Sequence, residues 1–181
     1  TGMRLVAACS CFDKTKSVMG LLPASMIEST GACLDKTEAL FERYLGKHHG
    51  RLTLSASFRG MNNASDELIT GLKDIANKHQ AKLQTHACFS YQTHDASVSG
   101  TGMAEIERLE ALGVLDENMI LAHSGWLEPQ ELALLIQRKP TLVCSPSSSV
   151  HNGYGYMAAG KHPELMAMGV NVSLGSDHAS S

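Results

Sequence analysis

Four polar residues stand where short apolar runs end. His86 lies near the end of "KLQTHAC" (82–88), His123 of "MILAHS" (119–124) and Ser145 of "TLVCSP" (141–146), and Asp177 closes "VNVSLGSD" (170–177). Neutral imidazole and carboxylate are the usual nitrogen and oxygen ligands of a catalytic zinc or similar divalent ion, in sites that keep one position open for water. Such an ion lowers the pKa of its water towards 7, which makes a hydroxide nucleophile at neutral pH. A carboxylate touching both ion and water can take and return a proton, and a neighbouring imidazole can polarise the group under attack. Asp177 and His123 suit these two roles. One histidine at a strand end is as readily a satisfied structural residue; the repetition of His, His and Asp over three strand ends is what points to a site.

Residues so placed need elements that bring strand ends together, and the chain supplies them as alternating β-like and helical stretches, the pattern of βα units around a parallel sheet. Strands are expected at 4–10, 51–58, 82–88, 119–124, 141–146 and 170–177. Helices are expected at 35–49, with Asp35 as cap, at 65–80, near 101–113, at 128–139 and near 161–169. The helix at 65–80 is the best marked: Ser65 caps it, acids fill its first turn, and Leu68, Ile69, Leu72, Ile75 and Ala76 share a face. Gly113 and Gly169 each stand between a helix and a following valine, where a left-handed residue ends a helix. The stretch "ASVSGTG" (96–102) reads as the most loop-like interior segment, and 145–163 as a long functional loop. In parallel α/β sheets and barrels the site lies at the carboxyl ends of the strands, where these polar residues fall.

Composition excludes several partners. With 181 residues, 43% hydrophobic and 18% charged, the chain can bury one substantial core. Its formal charge of -3 is scattered without a basic patch, which disfavours nucleic acid and anionic membranes and leaves a small-molecule substrate. No stretch approaches the roughly 20 apolar residues of a membrane span. The five cysteines show no CxxC spacing, so they indicate neither a disulfide framework nor a zinc ribbon, and the setting reads as reducing and cytoplasmic. No G-x-G-x-x-G follows the first strand, and no lysine follows "SGTG" at P-loop spacing, so dinucleotide and phosphate-loop readings fall away.

Four segments in order, "LQTHAC", "GVLDENMILAHSGWLEPQELALL", "SPSSSVHNGYG" and "LMAMGVNVSLGSDHASS", resemble the later half of the amidohydrolase superfamily, in particular its deaminases and aminohydrolases of nitrogen heterocycles. The resemblance is strong over 82–181 and weaker before it. It implies an α/β chain of metal-bearing (β/α)8 TIM-barrel type, of which residues 1–181 form a partial catalytic domain holding about strands three to eight. It further implies that His86 and Asp177 are metal ligands, that His123 and Asp177 are catalytic, and that the ion is zinc in the first place, with iron or manganese as alternatives. The activity implied is hydrolysis of a C–N bond in a small cyclic substrate through a metal-bound hydroxide, and homo-oligomers are compatible with it.

Two departures qualify the resemblance. The family's first strand carries a His-x-His pair that supplies two ligands, and no two histidines here are spaced that way. The 181 residues are therefore expected to be part of a longer enzyme, to bind metal poorly and to be inactive alone. Secondly, the related deaminases carry a proton-transferring glutamate three residues after the strand-five histidine, where this chain has Phe89. His94, Asp95 or His178 would then share the role, or the reaction needs less of it.

Phe89, Trp126, Ser145 and His151 are assigned to the substrate pocket. Trp126 is equally a packing aromatic, and His151 sits in a Gly- and Tyr-rich stretch suited to a lid. His94 and Asp95 read as a solvated loop pair, His48, His49 and His79 as helix-end residues, and His162 as part of a turn. The competing class is a degenerate or non-enzymatic α/β domain serving in binding or assembly.

Overall fold

The computed structural model describes residues 3–14, 16–17, 20–21 and 23–177. Two compact units divide the chain, one reaching to Gln84 and the other starting at Thr85.

The first unit runs β1 (Leu5–Ala7), β2 (Ser10–Cys11), β3 (Lys16–Ser17), β4 (Gly20–Leu21), a 3-10 turn (Ala24–Met26), α1 (Thr30–Tyr44), α2 (Lys47–Gly50), β5 (Leu52–Leu54), β6 (Ala56–Gly60) and α3 (Asp66–Lys78). Each strand expected here is interrupted. β1 pairs in parallel with β5, Leu5 opposite Leu52, and β2 with β6, Ser10 opposite Ser57. The antiparallel pair β3–β4 was not foreseen.

α1 starts five residues before the expected cap. Ser29 accepts a hydrogen bond from the Ala32 N–H at 3.2 Å, so Asp35 lies inside the helix. The face it buries is Cys33, Thr37 and Phe41, spaced by four. Chain reversal after α1 uses Gly46 in the left-handed region, φ 73°. His48 and His49 also take left-handed backbone angles within α2 and are exposed. α3 forms as expected, with Ser65 accepting from the Leu68 N–H at 3.1 Å and Leu68, Ile69, Leu72 and Ala76 buried. Asp13 ties the starts of α1 and α3 together: its carboxylate accepts from the Thr30 hydroxyl at 2.7 Å and from the Ser65 N–H and hydroxyl at 2.8 and 2.5 Å.

The second unit takes over within β7 (Leu83–Ala87) and continues with α4 (Tyr91–Thr101), α5 (Glu105–Ala111), β8 (Met119–His123), α6 (Pro129–Arg138), β9 (Thr141–Cys144), α7 (Pro146–His151), α8 (Tyr156–Ala159), α9 (His162–Ala167) and β10 (Asn171–Leu174). The strands lie in the order β10-β9-β8-β7, and β8, β9 and β10 pair in parallel, with Leu142 opposite both Leu121 and Val172. Leu121 and Leu142 are fully buried, at roughly 1.5–3 kcal/mol each.

Two expected loops are helical. "ASVSGTG" belongs to α4, because Ser90 and Thr93 form a reciprocal capping box at its start and Gly102, φ 76°, ends it. That also corrects the loop reading of His94 and Asp95. The stretch 145–163 folds as α7 and α8, Pro146 opening the first of them. Gly113 and Gly169 do take positive φ, 69° and 84°. Among the described residues no helix is long and apolar enough to cross a membrane.

Candidate active site

β7 and β8 both show strict alternation of buried and half-buried positions, which orients every second side chain to one face. His86 is the fourth residue of β7 and His123 the last of β8, so both stand at carboxyl ends of neighbouring strands. Asp177 follows β10 by three residues. These three side chains converge: one ligand atom from each lies within 4.8 Å of the others. Asp177 Oδ1 is 3.3 Å from His86 Nε2, its Oδ2 is 3.5 Å from His123 Nε2, and the two imidazole rings stack with centroids 5.4 Å apart.

The backbone is unusual at the same places. Cys88, His123, Ser124 and Asp177 all take positive φ (52°, 76°, 51° and 54°), a region that costs a non-glycine residue about 1–3 kcal/mol and that concentrates at functional sites. Hydrogen bonds hold these turns in place. The Ala87 carbonyl accepts from the Ser124 N–H at 2.9 Å, and the Cys88 carbonyl accepts from the N–H groups of Gly125 and Trp126, both at 3.0 Å. The Cys88 N–H donates to Glu105. Glu131 accepts from the N–H groups of Ile106 and Glu128, each at 2.9 Å. Glu105 and Glu131 are thus buried carboxylates under the turn after His86; burial pushes Glu105 up to about 7 and raises Glu131.

Electrostatics separate Asp177 from that pair. A hydrogen bond from His86 holds its carboxyl well below the usual range, and the Ser148 hydroxyl, donating to Oδ2 at 2.7 Å, adds to the effect against partial burial. His123 is fully enclosed: Tyr156 Oη lies 3.1 Å from Nδ1, and His162 Nε2 donates to the His123 carbonyl at 2.6 Å. Phe89 and Tyr154 lean on the same ring, with centroids 5.6 and 5.7 Å away, and pack on each other at 5.1 Å.

The structure therefore brings His86, His123 and Asp177 together and sets Phe89 beside them. Trp126 is half-buried, its Nε1 donating to the Tyr154 carbonyl at 2.7 Å while Tyr91 meets its ring edge-on. Ser145 is buried, and its N–H and carbonyl both engage the Tyr156 hydroxyl. His151 is exposed in the last turn of α7, outside the three-residue cluster. His94 lies on α4, 3.7 Å from Glu128. His178 lies outside the described residues. Reasoning from sequence missed Tyr156, Ser148, the buried role of His162, and Glu105 with Glu131. Of these, the tyrosine-rich "GYGY" and the "SPSSS" stretch that holds Ser148 gave a signal.

Two imidazoles and a carboxylate at the ends of parallel strands, with strand-helix repeats around them, define a parallel α/β protein with a strand-end site. The chain belongs to the Amidohydrolase family, whose profile matches residues 1–181. A 5'-deoxyadenosine deaminase of Methanothrix thermoacetophila is 34% identical over 119 residues, which cover 65% of this chain and 28% of the relative. A 5-methylthioadenosine/S-adenosylhomocysteine deaminase of Thermococcus sibiricus is 32% identical over 117 residues, covering 65% and 27%. The fold matches a guanine deaminase from C. acetobutylicum with bound guanine at a TM-score of 0.86 and 21% identity, over 97% of this chain and 40% of that one. An atrazine chlorohydrolase from Arthrobacter aurescens complexed with zinc gives 0.84 and 19%, over 97% and 39%. The chain thus spans about a third of the length of the relatives it matches, and its parallel α/β architecture is a partial (β/α)8 barrel.

Proposed function

We propose that this chain carries the metal-binding and proton-handling end of a hydrolase that cleaves an exocyclic C–N bond of a small, amino-substituted nitrogen heterocycle of purine type. The observation that carries the reading is the spacing of donor atoms around Asp177. The 3.3 Å separation of Asp177 Oδ1 from His86 Nε2 matches the edge of a tetrahedron with zinc–ligand bonds of 2.0–2.1 Å, which is roughly 3.3–3.4 Å, and His123 Nε2 stands beside them at 3.5 Å from Oδ2. An imidazole and a carboxylate suit zinc first and iron or manganese next. His86 and Asp177 would hold the ion. When bound, it supplies Lewis acidity and brings the pKa of a water towards neutrality.

The protein's own groups would do the rest. Asp177, kept ionised by His86 and Ser148, accepts a hydrogen bond from the attacking water and orients it. His123 Nε2, 3.5 Å from Asp177 Oδ2, stands where it can receive a proton and then stabilise charge developing on the substrate. Phe89 and Tyr154 form an aromatic wall for a flat ring, with Trp126 beyond them. Similarity to curated nucleoside deaminases supports an aminated purine as substrate class, with ammonia as the leaving group. Five free thiols support a reducing, cytoplasmic setting.

Phe89 favours a second reading. A hydrocarbon ring at this wall cannot protonate a leaving amine, so a leaving group that departs as an anion, such as halide, is compatible with the same site. The test is elemental analysis of the full-length protein followed by assay of aminated and halogenated purines and triazines. One divalent ion per chain with ammonia release supports deamination. Halide release alone selects the second reading, and absence of metal after zinc loading sinks both.

A further inference from the structure

We propose that Tyr156 is a positioning residue that commits His123 to the tautomer protonated at Nδ1, so that Nε2 faces Asp177 as a lone pair. This deepens the hydrolase reading, since its value for catalysis rests on that reading, but the tautomer is argued from the hydrogen bonds around Tyr156 Oη.

A phenol has one proton to give and an oxygen that can also accept. Tyr156 Oη lies 2.8 Å from the Ser145 carbonyl and 3.1 Å from His123 Nδ1, and the Ser145 N–H points at the same oxygen from 3.3 Å. A carbonyl can only accept, so the shorter contact takes the phenol proton. The oxygen then serves as acceptor for the Ser145 N–H and for His123, and the second role requires hydrogen on Nδ1. Burial raises the phenol to about 12, so it stays protonated across the working range.

The packing gives Tyr156 no alternative place. It is 1% exposed, its carbonyl accepts from the Gly160 N–H, and a Cβ on Gly125 would overlap its own Cβ and Cγ. His162 fixes the other side of the pair by donating to the His123 carbonyl. Ring and backbone of His123 are thereby both held, and the choice between nitrogens is made away from the substrate side. Neutral His123 would enter the reaction as an acceptor at Nε2 and become a donor only after taking a proton.

The experiment is long-range 15N–1H correlation spectroscopy of the histidine rings in the metal-free full chain, at a pH where His123 is neutral, with His123→Gln for assignment. A protonated Nδ1 and unprotonated Nε2 are expected for the wild type, and Tyr156→Phe should bring up the Nε2–H form while zinc content, set by His86 and Asp177, stays as in the wild type. An Nε2–H signature in the wild type overturns the proposal, and so does a folded Tyr156→Phe with unchanged tautomer. If Tyr156→Phe does not fold, the wild-type spectrum decides. A wild type with the expected tautomer but no affinity for zinc supports the tautomer assignment and counts against the hydrolase reading.

Discussion

His86 and Asp177 are 91 positions apart in the chain and meet at 3.3 Å, one at the end of β7 and the other just past β10. Each closes part of the same donor set. His86→Ala and Asp177→Ala should therefore each lower zinc content of the full-length protein to near background. Elemental analysis after buffer exchange measures this, and full retention of zinc by either variant would remove that residue from the site.

Glu105 makes a pH prediction of definite sign. Its folded pKa is raised from 4.5 to about 7 by burial, so the folded chain keeps a proton that the unfolded chain releases. Stability then falls as pH rises from about 4.5 to about 7 and is level above, by on the order of 3 kcal/mol. Glu105→Gln, which retains an acceptor for the Cys88 N–H, should gain stability over the wild type at pH 8 and little at pH 5. Equal differences in urea midpoint at the two pH values would contradict it.

Asp13 has the opposite sign. Burial pushes its carboxyl up, but hydrogen bonds from Ser65 and Thr30 pull it further down, below 3.8. Its contribution is fully present above that value and is lost as pH falls through the folded pKa. Asp13→Ala should cost about 1.5–3 kcal/mol at pH 7, since two helix starts lose a charged acceptor, and much less near pH 2. Chemical denaturation at both pH values reads the difference.

Gly125→Ala tests the support of His123 from behind. The added methyl has no room against Tyr156 and must displace it. The expected result is a lower melting temperature together with a larger share of the Nε2–H form of His123. A variant that loses stability while keeping the wild-type tautomer would separate Tyr156 from that role.

Much of this was legible in the sequence because it is local. Strand alternation ending in a polar residue marks His86 and His123, and an N-cap serine with acids behind it marks α3. α1 is expected too late because Asp35 is a plausible cap by residue type, whereas the cap at Ser29 and the buried face of Cys33, Thr37 and Phe41 show only once packing is known. α4 was read as loop because its residues are small and polar; what makes it helical is the capping box at Ser90. Tyr156, Ser148 and His162 reach the site through contacts 29 to 39 residues long, for which a single chain carries no periodic mark. Glu105 and Glu131 look like ordinary helix-surface acids in sequence, and only burial shows them to be braces.

The carbonyls of Ala87 and Cys88 between them engage three successive amides, those of Ser124, Gly125 and Trp126. Freeing any one of them by rotating a strand end strains the other two, so the termini of β7 and β8 form one cooperative opening unit. In a hydrogen-exchange experiment these three amides would exchange together and slowly, although they lie in a turn. The spacing of the two imidazoles, which sit on these strand ends, is then tied to that unit.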